Sequence, residues 1–190
     1  MGAMATDRRT LLADAALGVL ADQGIRGLTH RAVDRAAALP DGTTSAYYRT
    51  RAALLTALVR RLVELDQQEL ESTAARVAPP RTAAELADGL ARLAHGRLTG
   101  EGRRRSLARY ACVLESVRDP ELREILTPRE NTGRDAVRHF LAAHRVGDVE
   151  GRALTLLAGF DGLVLDGLVR GEQALRRDAL EGLVAAALRP

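Results

Sequence analysis

The 190-residue sequence has no lysine, no tryptophan and a single cysteine, and aromatic residues make up only 3% of it. Each shortage excludes something. One thiol, Cys112, cannot close an internal disulfide, which sets aside the stapled secreted scaffolds and fits a reducing compartment. With so few aromatics, a core drawn from 46% hydrophobic residues must be built of Leu, Ala and Val. That mixture favours packed helices over sheets. No apolar run approaches the roughly 20 residues needed to span a bilayer. The start, Met1–Thr6, lacks the cationic-then-apolar order of a signal peptide. A cytoplasmic chain without a membrane partner is expected.

Because lysine is absent, all 28 basic residues are arginine. Up to Arg60 there are eight Arg against five Asp, and from Arg61 onward twenty basic residues face twenty acidic ones. The formal net charge of +3 therefore lies in the first third, where a polyanion-binding module would carry it.

The apolar spacing is helical throughout. Leu11, Leu12, Ala15, Ala16, Val19 and Leu20 form one stripe that stops at Gly24. Thr29 is placed to cap a short helix to about Ala38. Pro40-Asp41-Gly42 breaks the chain before a second short helix over Thr43–Tyr48, and a long amphipathic helix runs from Arg51 to about Val77. Beyond Pro79-Pro80, helices are expected from Thr82 to Leu98, from Arg103 to Val117 after a loop over 99–102, and from Pro120 behind an Asp119 cap. The last of these is expected to break at Pro128 and resume near Thr132 as far as His144. Two more span Glu150–Val169 and about Ala174–Leu188. No alternating strand pattern occurs, so the fold class is all-α, with about nine helices.

The segment Gly27–Leu55 has the order of a helix-turn-helix. Val33 and Ala36 are expected to face inward from the first helix, Leu39 to plug the turn, and small Ala46 to allow close helix approach. Thr43, Thr44, Ser45 and Tyr47 would then project hydroxyls outward, and short hydroxyl side chains at a helix start suit phosphates and base edges in a major groove.

Ala13-Asp14-Ala15-Ala16, Gly24, Thr29, Val33, Ala36, Leu39, Gly42, Thr43, Tyr48, Arg51, Leu54 and Leu55 fall without a gap on one family pattern. Over about residues 6–58 the chain resembles the TetR family of bacterial transcription regulators. It departs from the pattern in carrying its tyrosines at Tyr47 and Tyr48 where the family often has aromatics at the positions of Ser45 and Ala46. The resemblance implies an N-terminal DNA-binding domain, residues 1–50, and a C-terminal helical ligand-binding and dimerisation domain, residues 51–190. It implies a dimeric repressor of palindromic double-stranded DNA, released by a small-molecule effector of unknown identity. The roles it carries over are base or groove contact for Thr43, Thr44, Tyr47 and Ser45, and phosphate contact for Thr29, His30, Arg31 and Arg51. Arg49 reads equally as a phosphate contact or a solvated charge, and Tyr48 equally as a DNA contact or a core ring.

The helix Ala153–Val169 is apolar almost all round and must be covered on all sides. Leu163 on it and Leu175, Leu180 and Leu183 on the next stripe are candidates for the dimer interface. Tyr110, Cys112, Leu114, Glu115, Phe160 and Asp161 place polar atoms among apolar neighbours and are candidates for an effector pocket, though core packing explains Tyr110, Cys112 and Phe160 as well. Asp161 would need a partner, an Arg across the dimer or a cationic ligand. Two rival readings stand beside this one. An enzyme would need clustered chemistry, yet His95, His139 and His144 are scattered, and no metal, cofactor or catalytic residue is expected. An effector-independent dimeric DNA-binding protein is the other.

Overall fold

The computed structural model describes residues 2–126 and 132–189. It has ten α-helices: α1 (Gly2–Gly27), α2 (His30–Ala36), α3 (Thr43–Tyr47), α4 (Arg51–Arg76), α5 (Ala83–Leu98), α6 (Gly100–Ser116), α7 (Pro120–Leu126), α8 (Thr132–Ala143), α9 (Val149–Arg170) and α10 (Arg177–Leu188). A 3₁₀ turn covers Glu172–Ala174, and every regular element among the described residues is helical. Ten helices are thus described where about nine were expected; the expected break at Pro128 lies outside the described residues.

Most boundaries follow from local hydrogen bonding. Thr29 Oγ1 accepts from Ala32 N at 3.1 Å, Thr82 Oγ1 from Glu85 N at 3.2 Å and Asp119 Oδ1 from Glu121 N at 3.0 Å, each satisfying an orphan N–H of the first turn. Helix α1 loses helical geometry at Gly24, with φ 67° and ψ −175°. Two boundaries differ from expectation. The loop over 99–102 shrinks to one extended residue, Thr99, whose carbonyl already accepts from Arg103 N at 2.9 Å, so α6 begins at Gly100. The last helix starts at Arg177 rather than Ala174, because Gly171 (φ 100°) and the extended Leu175 interrupt the helical path.

The chain forms two compact units. The first comprises the residues up to Asp66 together with Arg104 to the end of α7; the second holds Gln67–Arg103 and α8 to α10. Helices α4 and α6 thus contribute to both.

In the first unit Leu12, Ala16, Val19 and Leu20 of α1 meet Leu28 and Val33, Leu54, Leu58 and Leu62 of α4, and Ala108 and Cys112 of α6 in one core. Polar clasps close its edges. Arg61 of α4 reaches Asp14 of α1 through Nε at 2.7 Å and Nη2 at 3.3 Å, and Arg104 of α6 reaches Asp22 at 2.6 Å. In the second unit α5 presents Leu86, Leu90, Ala94 and Leu98 at four-residue spacing toward its core. Gly167 and Gly159 of α9 let neighbours close in: a Cβ there would come within 2.8 Å of Leu98 and 2.6 Å of Leu183. Arg152, one of few charges on α9, donates to the carbonyls of Ala187 (3.0 Å) and Arg189 (2.5 Å), capping the negative end of α10.

Candidate nucleic-acid interface

Helix α3 is five residues long and could not persist alone. It is held at both ends. Gly42 precedes it in the left-handed region, φ 90°, where an L side chain would be strained. This turn aims the first N–H groups of α3 back at α2, where Asp34 is fully buried. The carboxylate accepts from Gly42 N at 2.8 Å through Oδ2, and from Thr44 N at 2.7 Å and the Thr44 hydroxyl at 2.5 Å through Oδ1. Burial pushes the Asp34 carboxyl up, but the hydrogen bonds from Thr44 and Gly42, with His30 nearby, more than compensate and hold it below its usual range.

The far end of α3 is tied as firmly. His30 Nε2 lies 2.7 Å from the Tyr48 carbonyl, which can only accept, so the ring proton is on Nε2. The Arg9 guanidinium of α1 sits 5.5 Å from the Tyr47 ring centroid and 5.7 Å from that of Tyr48. The Tyr48 hydroxyl donates to the Arg9 carbonyl at 3.3 Å. An open groove of about 870 Å³ runs alongside, lined by Arg9, Tyr48, Thr50, Thr56, Arg60 and Arg61 among others.

What this arrangement turns outward differs in phase from the sequence expectation. Thr44 is fully buried and its hydroxyl bonded to Asp34, so it does not project outward, whereas Ala46 is exposed and mediates no close approach. On α2, Ala36 is likewise exposed, and Ala32, Val33 and Asp34 form the inward arc. The buried carboxylate binds Thr44 on the inner side, and Ser45 and Ala46 lie on the surface. Thr43 and Tyr47 are half-buried, and Thr43 donates to the Pro40 carbonyl at 2.7 Å. Thr29, Arg31 and Arg49 are exposed around them, His30 is half-buried, and Tyr48 is a core ring. Arg31 pairs with Asp41 at 3.1 Å, both side chains largely exposed, an ion pair of little net strength that a phosphate can replace. Arg51 serves the scaffold: it donates to the carbonyls of Ile25 (2.5 Å) and Leu28 (3.3 Å) where α1 ends. Sequence reasoning missed Asp34 and Arg9. An acidic residue on the inward arc of α2, eight positions before Gly42, was the available signal for the first.

The six pocket candidates do not share one environment. Cys112 is fully buried in the first unit's core, with its thiol pushed up to about 12 by burial. Tyr110 and Glu115 are half-buried, and Leu114 is 68% exposed, which removes it as a pocket wall. In the second unit Phe160 is buried beneath the Arg97 guanidinium, 5.4 Å from the ring centroid. Asp161 is exposed and paired with the same Arg97 at 3.3 Å, so its partner comes from its own chain. Of the dimer candidates, Leu180 is buried within its own unit and is a core residue, while Leu163, Leu175 and Leu183 are half-buried. The large apolar side chains of α9 that remain exposed are Leu154, Leu165 and Val169.

The family described as "Tetracyclin repressor-like, C-terminal domain" matches residues 81–190. Among solved structures, a transcriptional regulator from Rhodococcus sp. Rha1 is similar at 24% identity, over 95% of this chain and 93% of that one, with a TM-score of 0.74. A member of the TetR family from Streptomyces coelicolor A3 is 27% identical over 96% and 99% of the two chains, with a TM-score of 0.71. The multidrug binding protein EbrR, complexed with ethidium, is also 27% identical, over 95% and 97%, with a TM-score of 0.70. No curated protein matches the sequence. Among the described residues no helix is long and apolar enough to cross a membrane.

Proposed function

The chain belongs to the TetR family of transcriptional regulators, and from that premise we propose that it is a cytoplasmic, dimeric repressor that binds palindromic DNA and is released by a small molecule. The observation that carries the DNA reading is the tethered α3, which turns Ser45 and Ala46 to solvent and leaves Thr43 and Tyr47 half-exposed, with Arg31 and Arg49 beside it. A short, rigidly held helix with hydroxyl groups outward fits a major groove, and the flanking arginines fit phosphates. Residues 1–50 are the reading domain in this account and residues 51–190 the dimerising and sensing one.

For the dimer, the support is the exposed stripe Leu154, Ala158, Gly162, Leu165 and Val169 on α9, repeating at helical spacing. On α10, Gly182, Ala185 and Ala186 are exposed and small enough for a partner helix to approach closely. Two α9–α10 pairs facing each other across a two-fold axis would cover both. Effector release requires a ligand that binds one arrangement of the reading helices better than the other. Since the similar EbrR is a multidrug binding protein complexed with ethidium, planar cations are the first ligands to try.

Two measurements test this reading. On an enriched site, Ser45→Ala and Tyr47→Ala change which bases are preferred. Arg31→Ala instead weakens binding to all sequences and lowers the log–log salt slope by about 0.9, one phosphate's worth. Addition of ethidium raises the melting temperature and releases DNA. A chain that ethidium and other planar cations neither stabilise nor release from DNA has no effector of that class, and one that no compound in a broad thermal-shift screen stabilises supports the effector-independent regulator.

A further inference from the structure

Asp34 does not reach the surface, yet three polar groups at the start of α3 converge on it, while the Thr43 N–H and hydroxyl turn to the Pro40 carbonyl. The two backbone N–H groups and the hydroxyl that it accepts come from Gly42 and Thr44, within the first turn of the helix or directly before it. A buried carboxylate with three short, charge-assisted bonds is the stiffest polar anchor available to so short a helix. It fixes both the tilt of α3, through the backbone bonds, and its rotation about its own axis, through the Thr44 hydroxyl. Rotation decides which side chains face outward: with Thr44 drawn in, Ser45 and Ala46 go out.

We propose that Asp34 and Thr44 form a positioning latch that sets the rotation of α3, so that Asp34 governs which DNA sequence is bound without touching DNA. The latch rests on the DNA-reading function given above. Thr44 acts through Asp34 and contributes no base contact of its own. Loss of either partner loosens the rotation of α3 at its start, though its far end stays tied at Tyr48, which lowers affinity for the preferred site while leaving attraction to DNA in general unchanged. Because both residues act as one unit, their losses are not additive.

The test compares Asp34→Asn, Thr44→Val, Thr44→Ser and the Asp34→Asn/Thr44→Val pair with the wild-type chain. In Asp34→Asn one of the two carboxylate oxygens becomes an NH₂ that faces a backbone N–H, so one anchor bond is lost. Thr44→Val keeps the shape and loses the hydroxyl, whereas Thr44→Ser retains it. For each variant, affinity is measured on the site enriched by the wild-type chain and on an unrelated duplex, and amide exchange of Gly42 and Thr44 is followed without DNA. Asp34→Asn and Thr44→Val each lose about tenfold or more in the ratio of specific to non-specific affinity, as for removal of a bond to a charged group. Thr44→Ser retains the wild-type ratio. The double variant is no worse than the weaker single one, and exchange at both amides accelerates in all but Thr44→Ser.

A Thr44→Val variant that alters preference at one base pair while Asp34→Asn does not would make Thr44 a direct reader and overturn the latch. So would additive losses, or equal losses on both duplexes. If Asp34→Asn fails to fold, Thr44→Val against Thr44→Ser decides alone. A wild-type chain that enriches no duplex overturns the DNA reading itself and with it the role of the latch. Slow exchange at Gly42 and Thr44 in that chain would show the tether intact all the same.

Discussion

At the scale of single residues, charge state follows from what each group touches. The Asp34 carboxyl lies below its ordinary range because the bonds from Thr44 and Gly42 outweigh the cost of burial. A carboxyl depressed in the folded state contributes stability that is complete above its unfolded value, about 3.9, and that is lost as pH falls through the folded one. The melting temperature of the wild-type chain should therefore exceed that of Asp34→Asn by a constant margin from pH 8 to about pH 5. The margin should close below about pH 4. A margin unchanged at pH 3 would mean that the carboxylate is not the anchor. Cys112 sits at the other extreme. Buried among apolar groups, with its thiol raised to about 12, it presents no thiolate near neutral pH. Iodoacetamide at pH 8 should label it only as the chain unfolds; stoichiometric labelling of the native protein would show that the thiol is reachable.

At the scale of elements, the sequence carried the caps and stops well and the rotation of short helices poorly. Thr29, Thr82 and Asp119 cap α2, α5 and α7 as their chemistry suggests, since an N-cap is a local interaction between neighbours in sequence. The phase of α3 was not legible in the same way. Its five residues are too few for an apolar period, and the group that fixes them, Asp34, lies ten positions before Thr44 on another helix. Thr44 and Ala46 consequently exchange the sides that their own residue types suggest. For Asp161 the sequence suggested burial and hence a partner across the dimer or on a ligand; it is exposed instead, and pairs with Arg97 of its own chain, distant in sequence. The left-handed turn before α3 gives a test of the element as a whole. Gly42→Ala should destabilise the chain by about 1 kcal/mol or somewhat more, since alanine at positive φ is strained. A melting temperature equal to wild type would mean that the turn relaxes at no cost.

At the scale of the whole molecule, the decisive feature is the apolar surface left on α9. Leu154 is 60% exposed and Val169 77%, with Leu165 between them, more than scattered surface leucines would account for on a single helix. Leu165→Glu should put a charge into the middle of the proposed interface, give monomers in sedimentation at micromolar concentration, and abolish binding to a two-fold site. It should leave the helical content intact, because Leu165 lies outside the protomer core, whereas Leu180→Glu should unfold the chain. A dimer that survives Leu165→Glu would place the interface elsewhere.

In the proposed function two copies of α3, related by a dimer two-fold, read DNA together. Selection of bound duplexes from a random pool by the full-length chain tests this most directly. The predicted product is a palindrome whose half-sites are centred about one helical turn apart, or slightly more, with Ser45→Ala and Tyr47→Ala changing its bases symmetrically in both halves. Enrichment of a lone asymmetric half-site, or of no sequence at all, would contradict it.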